Sequence, residues 1–393
     1  MRLWPVFIVS VLFHAYAGLR LLPALGATWA EWALAGVLTV SALSMPLGLM
    51  GHRLARPPVA EMAWRVLTWT GLLCMGFFSS LMVLTLLRDV VLVALWAAGW
   101  AGLQAAAGWG DDVARLSAQA VPVLATAVTL WGFVNARRTA AVVRVDVPLT
   151  GLPPALHGFT LAQISDIHVG PTIKSHYLER IVQRVNALGA DVVAVTGDLI
   201  DGSVAELAHH VAPLADLQSR HGTFFVTGNH EYYSGALPWI DELRRLGVQV
   251  LVNQHVVLQH PGAEAMSAGA ALVLAGVTDF GAHHFIESHR SDPVAALKGA
   301  PDDVPTRVLL AHQPRSAQAA AQAGFQLQLS GHTHGGQIWP WNYFVRLQQP
   351  FTAGLSRLHQ LWVYTNRGTG YWGPPKRFGV PSEITHLRLV TAT

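Results

Sequence analysis

The chain has 393 residues and a formal net charge of +3; 52% of its residues are hydrophobic and 12% charged, against roughly 25% charged in an average soluble domain. That balance excludes a disordered chain and argues against an ordinary cytosolic globule. One cysteine, Cys74, excludes an intramolecular disulfide framework and a cysteine-based zinc site, and scattered arginines without a dense basic patch argue against a nucleic-acid partner.

Charge is unevenly spread. Residues 1–136 hold 12 of the 49 Asp, Glu, Lys and Arg residues and 2 of the 19 histidines. Uncharged runs there predict about five helices, at 4–20, 32–52, 66–87, 90–110 and 116–136. A helix needs about 20 apolar residues to cross the hydrocarbon core; four runs reach that length and the first is marginal. Trp and Tyr cluster near several run ends, as interfacial anchors do. The runs show almost no polar face, unlike the amphipathic helices of a soluble bundle. A signal peptide fits the first run poorly, because further spans follow and no clear small-residue cleavage site does. The Ala- and Gly-rich run 90–110 reads either as a span or as a re-entrant segment. A plasma (inner) membrane protein with several spans is expected. If the cluster Arg53, Arg56 and Arg65 is cytoplasmic, five spans place the following domain outside and four place it inside.

Residues 137–158 read as a first strand and a Pro/Gly connector. From 159 to 393 short apolar runs alternate with helical ones. Strands are expected at Phe159–Ile164, Asp191–Thr196, Thr223–Thr227, Val248–Val252, Val256–Gln259, Ala271–Gly276, Val308–Ala311, Leu327–Leu329, Leu361–Tyr364 and Ile384–Leu389. Helices are expected at Ser175–Leu188, Val204–Gln218, Leu237–Leu246 and Ser316–Ala323. This alternation predicts an α/β domain with a mainly parallel central sheet, whose ligands collect beyond the carboxyl ends of the strands.

Those ends carry the chemistry. SDIH gives Asp166 and His168, TGDLIDG gives Asp198 and Asp201, and TGNHEYY gives Asn229, His230 and Glu231. HQP gives His312, and SGHTHGGQ gives His332 and His334. Oxygen and nitrogen ligands without thiolates suit Mn, Fe or Zn. Residues two apart point the same way from an extended segment, which pairs Asp166 with His168 and His332 with His334. A bridging carboxylate would allow two cations to clamp an in-line phosphoryl displacement.

The series DIH, GDLIDG, GNHEYYSG, AHQP and GHTHGGQ, with the ending NRGTGYWGPPKRFGVPSEI, resembles the calcineurin-like metallophosphoesterase superfamily, in particular its transmembrane members. The resemblance spans residues 159–390 and implies a two-sheet β-sandwich flanked by helices. It implies two divalent metal ions, one held by Asp166, His168, Asp198 and His334, the other by Asp198, Asn229, His312 and His332. It further implies His230 as the group that stabilises the transition state or protonates the leaving oxygen, with Glu231 orienting it and Asp201 as an outer hydrogen-bond acceptor. The expected reaction is hydrolysis of a phosphodiester or pyrophosphate by metal-activated water, the partners being the bilayer and a phosphoester or lipid-linked substrate. UDP-2,3-diacylglucosamine is one candidate, and its cytoplasmic location conflicts with the five-span arrangement. Soluble or wall-derived phosphoesters are an alternative, as is a non-catalytic metal-binding sensor.

Other residues carry weaker expectations. Tyr232, Tyr233, Tyr371 and Trp372 read equally as groove or core. His283 and His284 are candidates for substrate contact, and Asn366, Arg367 and Arg377 for phosphate contact. His209, His210, His255, His260 and His289 read as surface.

Overall fold

The computed structural model describes residues 4–26, 28–50, 61–102, 109–261 and 269–392. Contacts divide the chain into two units: residues 1–135 with 373–378, and residues 136–372 with 379–393.

The first unit is helical: α1 (Trp4–Leu21), α2 (Trp29–Met50), α3 (Glu61–Trp100) and α4 (Gly110–Arg137). Among the described residues four helices, at Trp4–Leu25, Trp29–Leu49, Glu61–Trp100 and Gly110–Arg137, are long and apolar enough to cross a membrane. The runs at 66–87 and 90–110, expected as separate helices, share the continuous α3 as far as Trp100; 103–108 lie outside the described residues, as do 51–60 with Arg53 and Arg56. The helix passes through the Arg88–Asp89 pair because both charges have partners. Asp89 accepts from Arg20 at 2.8 and 2.9 Å and from the Tyr16 hydroxyl, while Arg88 donates to Ser117 Oγ and the Ala114 carbonyl. Paired charges cost far less to bury than lone ones. Gly48 and Gly71 bring α2 and α3 into backbone contact; a Cβ on Gly71 would lie 2.3 Å from the Ser44 carbonyl.

The second unit contains two six-stranded sheets in place of one central sheet. The first runs β1 (Ala141–Leu149), β12 (Glu383–Thr391), β2 (Thr160–Ile164), β3 (Val192–Val195), β4 (Thr223–Phe225), β5 (Gln249–Val250). The second runs β10 (Gly354–Leu358), β11 (Leu361–Thr365), β9 (Leu327–Ser330), β8 (Arg307–Leu310), β7 (Ala270–Gly276), β6 (Gln254–His260). Strands β2 to β5 are mutually parallel, as are β7, β8, β9 and β11. Antiparallel pairs occur at β12–β2, β6–β7 and β10–β11. β10 has no counterpart among the expected strands; its sequence GLSRL lacks a sustained apolar run.

Leu161, Val192, Phe224, Leu274, Leu310, Leu329 and Leu387 fill the space between the sheets, and each such burial contributes roughly 1.5–3 kcal/mol. Helices cover the outer faces. On the first sheet lie α5 (Ser175–Asn186), α6 (Val204–Val211) and α7 (Ala236–Arg245), which bury Leu178, Ile181, Val185, Leu207, Trp239 and Leu243. On the second lie the short α8 (Pro293–Ala296) and α9 (Ala317–Gln322). The inner strands therefore read as continuous apolar runs, because both of their faces are dry.

Candidate metal centre

The loops after β2, β3, β4, β8 and β9 carry the candidate ligands, and they converge. Asp166, His168 and His334 form one group whose ligand atoms lie within 4.8 Å of one another; Asp198, His312 and His332 form a second; His168, Asp198 and His230 form a third that links them. In the first, His168 Nε2 is 3.1 Å from His334 Nε2, which is 3.5 Å from Asp166 Oδ1. In the second, His312 Nε2 is 3.2 Å from both Asp198 Oδ2 and His332 Nδ1. Ligands about 2.0–2.2 Å from a shared tetrahedral ion stand about 3.3 Å apart. Asn229 Oδ1 is buried and has no hydrogen-bond partner among the described residues, the condition of an acceptor built for a cation. These observations make the residues a fit for divalent metal.

The backbone is bent to present them. Asp166, His168, Asp198, His332 and His334 have φ between +50° and +69°, a region that non-glycine residues rarely adopt and that is concentrated at functional sites. Main-chain bonds hold the bends: Asp166 N–H to the Gly197 carbonyl at 3.0 Å and His168 N–H to the Asp198 carbonyl at 3.1 Å. The carboxylates are tied as well. Asp166 accepts from His332 N–H at 2.9 Å, and Asp198 Oδ1 from His230 N–H at 2.9 Å. Gly331 permits the first approach, since a Cβ there would meet Ser165 Oγ at 2.0 Å and Asp166 Oδ2 at 2.1 Å.

Electrostatics follow from burying many carboxylates together. Burial raises the Asp166 pKa. For Asp198 the same burial is outweighed by His312 and His230, which hold it well below the usual carboxylate value. Burial opposes charge on His312 too, yet Asp198, Asp166 and Asp279 lift its pKa well above the ordinary imidazole value. A cation at Nε2 would take the place of that proton. Burial, reinforced by His312, lowers His332 to about 3, so it stays neutral and able to ligate.

The comparisons agree with the geometry. Residues 159–336 match the family model described as calcineurin-like phosphoesterase. A transmembrane protein with metallophosphoesterase domain from Bos taurus is 39% identical over 333 residues, covering 81% of this chain and 73% of its own. The chain belongs to the calcineurin-like metallophosphoesterases. A protein of the same description from Danio rerio is 38% identical over 275 residues, covering 69% of this chain and 62% of its own. An uncharacterized metallophosphoesterase of Campylobacter jejuni is 35% identical over 257 residues, covering 65% and 64%. Membership makes this a metallophosphoesterase with membrane-associated relatives, which implies a metal-dependent phosphoester hydrolase.

Several expectations are corrected at this metallophosphoesterase site. His230 is oriented by Asp201, not by Glu231. Asp201 Oδ1 accepts from His230 Nδ1 and lies 3.3 Å from His168 Nδ1. Glu231 instead accepts from three backbone N–H groups, Asp198 at 3.0 Å, Leu199 at 2.8 Å and Gly228 at 2.6 Å, and so splices the β3 loop to the β4 loop. Burial and Asp198 raise its pKa to about 7. Burial alone would lower His230, but Asp198 and Asp201 raise it to about 9. Of the four aromatics, Tyr233 and Trp372 are half-exposed and edge-on to His230, at 5.3 and 6.0 Å, whereas Tyr232 and Tyr371 are buried.

The phosphate-contact candidates have partners within the protein. Arg367 pairs with buried Glu383 at 2.8 Å, Asn366 Nδ2 donates to Thr385 Oγ1, and Arg377 is buried in the helical unit, its N–H donating to the Gly132 carbonyl. His283 and His284 lie on a short 3-10 turn and are in none of the ligand groups. Of the histidines expected at the surface, His289 Nδ1 is hydrogen-bonded to the Tyr232 hydroxyl at 2.8 Å, and His260 has a side chain only 12% exposed. Gln337, quoted in the GHTHGGQ motif without a role, donates to the Trp372 carbonyl and accepts from its N–H, both at 2.9 Å. Its place directly after a ligand motif was the available signal.

Proposed function

We propose that this chain is a membrane-anchored, two-metal hydrolase of a phosphodiester or pyrophosphate bond. One observation carries the reading: the Asp166, His168, His334 group and the Asp198, His312, His332 group are linked through His168 and Asp198, and Asn229 Oδ1 is buried without a hydrogen-bond partner among the described residues. Asp166, His168, Asp198 and His334 would hold one ion, and Asp198, Asn229, His312 and His332 the other. When bound, such a pair supplies a nucleophile from water at neutral pH and neutralises charge on the phosphoryl oxygens. Mn, Fe and Zn all suit this donor set.

The protein's own groups do the rest. Asp201 fixes His230 through Nδ1 and leaves Nε2, 3.9 Å from Asp198 Oδ2, to donate a proton to the leaving oxygen. Asp201 also steadies His168. Gln337 sets Trp372, and Trp372 with Tyr233 gives His230 an aromatic frame suited to an apolar or planar substrate group.

Each helix crossing once, the four return the chain after Arg137 to the side on which α3 begins. Arg65, Arg137, Arg138 and Arg144 then share one side, against Arg20, Arg88 and Arg115. The positive-inside bias assigns the first set, and the phosphoesterase domain, to the cytoplasm of a plasma membrane. A lipid-linked nucleotide on that face, such as UDP-2,3-diacylglucosamine, is the preferred substrate.

The test is hydrolysis by the purified full chain in detergent with manganese, using UDP-2,3-diacylglucosamine, UDP-glucose and an aryl phosphodiester. Faster turnover of the diacylated substrate is expected. Turnover of the aryl diester alone moves the reading to soluble phosphoesters, and no turnover of any by metal-loaded protein ends it.

A further inference from the structure

A second meeting of ligand atoms lies far from the catalytic loops. Asp191, His221 and His260 each offer an atom within 4.8 Å of the others. Asp191 directly precedes β3, and His221 lies two residues before β4. His260 ends β6 and pairs with Ala270, the first residue of β7. The catalytic residues follow the opposite ends of β3, β4 and β8. The cluster therefore joins the first sheet to the second at the far end of the sandwich.

We propose that Asp191, His221 and His260 form a third metal site, for one zinc-type divalent cation, that clips the two sheets together.

His221 Nε2 stands 3.3 Å from His260 Nδ1, about the separation of two nitrogens on one tetrahedral zinc. His260 Nδ1 is 4.0 Å from Asp191 Oδ1, so closure on an ion needs a shift of about half an ångström. The carboxylate is aimed: its Oδ2 accepts from Thr160 N–H at 2.9 Å and Thr160 Oγ1 at 2.8 Å, which fixes the plane and offers Oδ1. Outer hydrogen bonds of this kind orient metal ligands. Phe159 packs on both rings, stacked on His221 with centroids 5.8 Å apart and edge-on to His260 at 5.0 Å. Burial lowers the pKa of both imidazoles, so they are neutral and ligating at neutral pH. His386, on β12, feels the charge of Asp191 and has Nε2 buried without a hydrogen-bond partner among the described residues, a further nitrogen in the same field. The competing occupant is Arg220, whose Nε is 3.5 Å from Asp191 Oδ1; its side chain is 55% exposed, so it can leave for solvent.

The test counts metal. The full chain in detergent is stripped with chelator, reloaded with zinc, desalted and measured by mass spectrometry. Wild type should carry about three ions per chain and the doubly substituted His221→Gln, His260→Gln chain about two, with aryl phosphodiester turnover unchanged. Asp198→Asn should lose ions from the catalytic centre and keep the third, which separates the two sites and remains readable even if the double variant does not fold. A wild-type plateau at two ions, or equal loading of wild type and the double variant, overturns the proposal.

Discussion

The Nδ1–H of His312 donates to the Thr196 carbonyl at 2.7 Å. A carbonyl can only accept, so the neutral ring has its lone pair on Nε2, facing Asp198 and His332. Thr196 thus selects the ligating tautomer. His312→Ala should lower bound metal by about one equivalent and cut turnover more than the 10–100-fold typical of an outer partner. Elemental analysis beside the aryl diester assay checks this; unchanged metal content would contradict it.

Asp201 and Glu231 predict opposite phenotypes. Asp201→Asn removes the charge that holds His230 and steadies His168, and kcat should fall about 10–100-fold with metal content lowered less than in His312→Ala. His230→Ala should cost about 10²–10⁴-fold, and the double variant no more than that, since the residues act as one unit. Glu231→Gln places an amide against three backbone donors, so it should lower stability by about 1–3 kcal/mol, read as a drop in Tm.

Gly331 gives a steric test. A methyl group there meets Ser165 and Asp166 at about 2 Å. Gly331→Ala should displace the Asp166 carboxylate and weaken metal binding, with a stability loss of about 1–3 kcal/mol. Normal metal affinity in that variant would show that the loop relaxes without cost.

Acid should work against folding at His289 and His386. Burial lowers the pKa of His289 below its ordinary 6.5, and burial with Arg144 does the same for His386. At these two sites the unfolded chain binds protons that the folded one resists, so their contribution is full above about pH 6.5 and is lost as pH drops through the folded values. Between about pH 7.5 and 5 the thermal midpoint of the wild type should therefore fall relative to that of His289→Gln, which keeps a hydrogen-bonding group beside the Tyr232 hydroxyl; a constant difference between the two would contradict this.

How much was legible varies by residue. The strand ends were readable because short, doubly buried strands are continuous apolar runs, and the groups that follow them are polar residues with few other reasons to sit there. β10 was not, since its five residues lack that pattern. Glu231 was misassigned to His230 because adjacency in sequence suggested contact, whereas the turn at Asn229–Ser234 directs its carboxylate to the neighbouring loop. Asp201 comes from 29 residues earlier in the chain, and no local pattern announces that pairing.

Apolar length, charge distribution and the order of the Asp, Asn and His motifs determined by themselves that a hydrophobic helical front precedes an α/β phosphoesterase domain, because such properties are local or cumulative along the chain. Tertiary structure decided the continuity of α3 through Arg88 and Asp89, the partner of His230, the tautomer of His312 and the gathering of His221 with His260. Each depends on a group brought from a distant segment, and its energy exists only once both segments are in place.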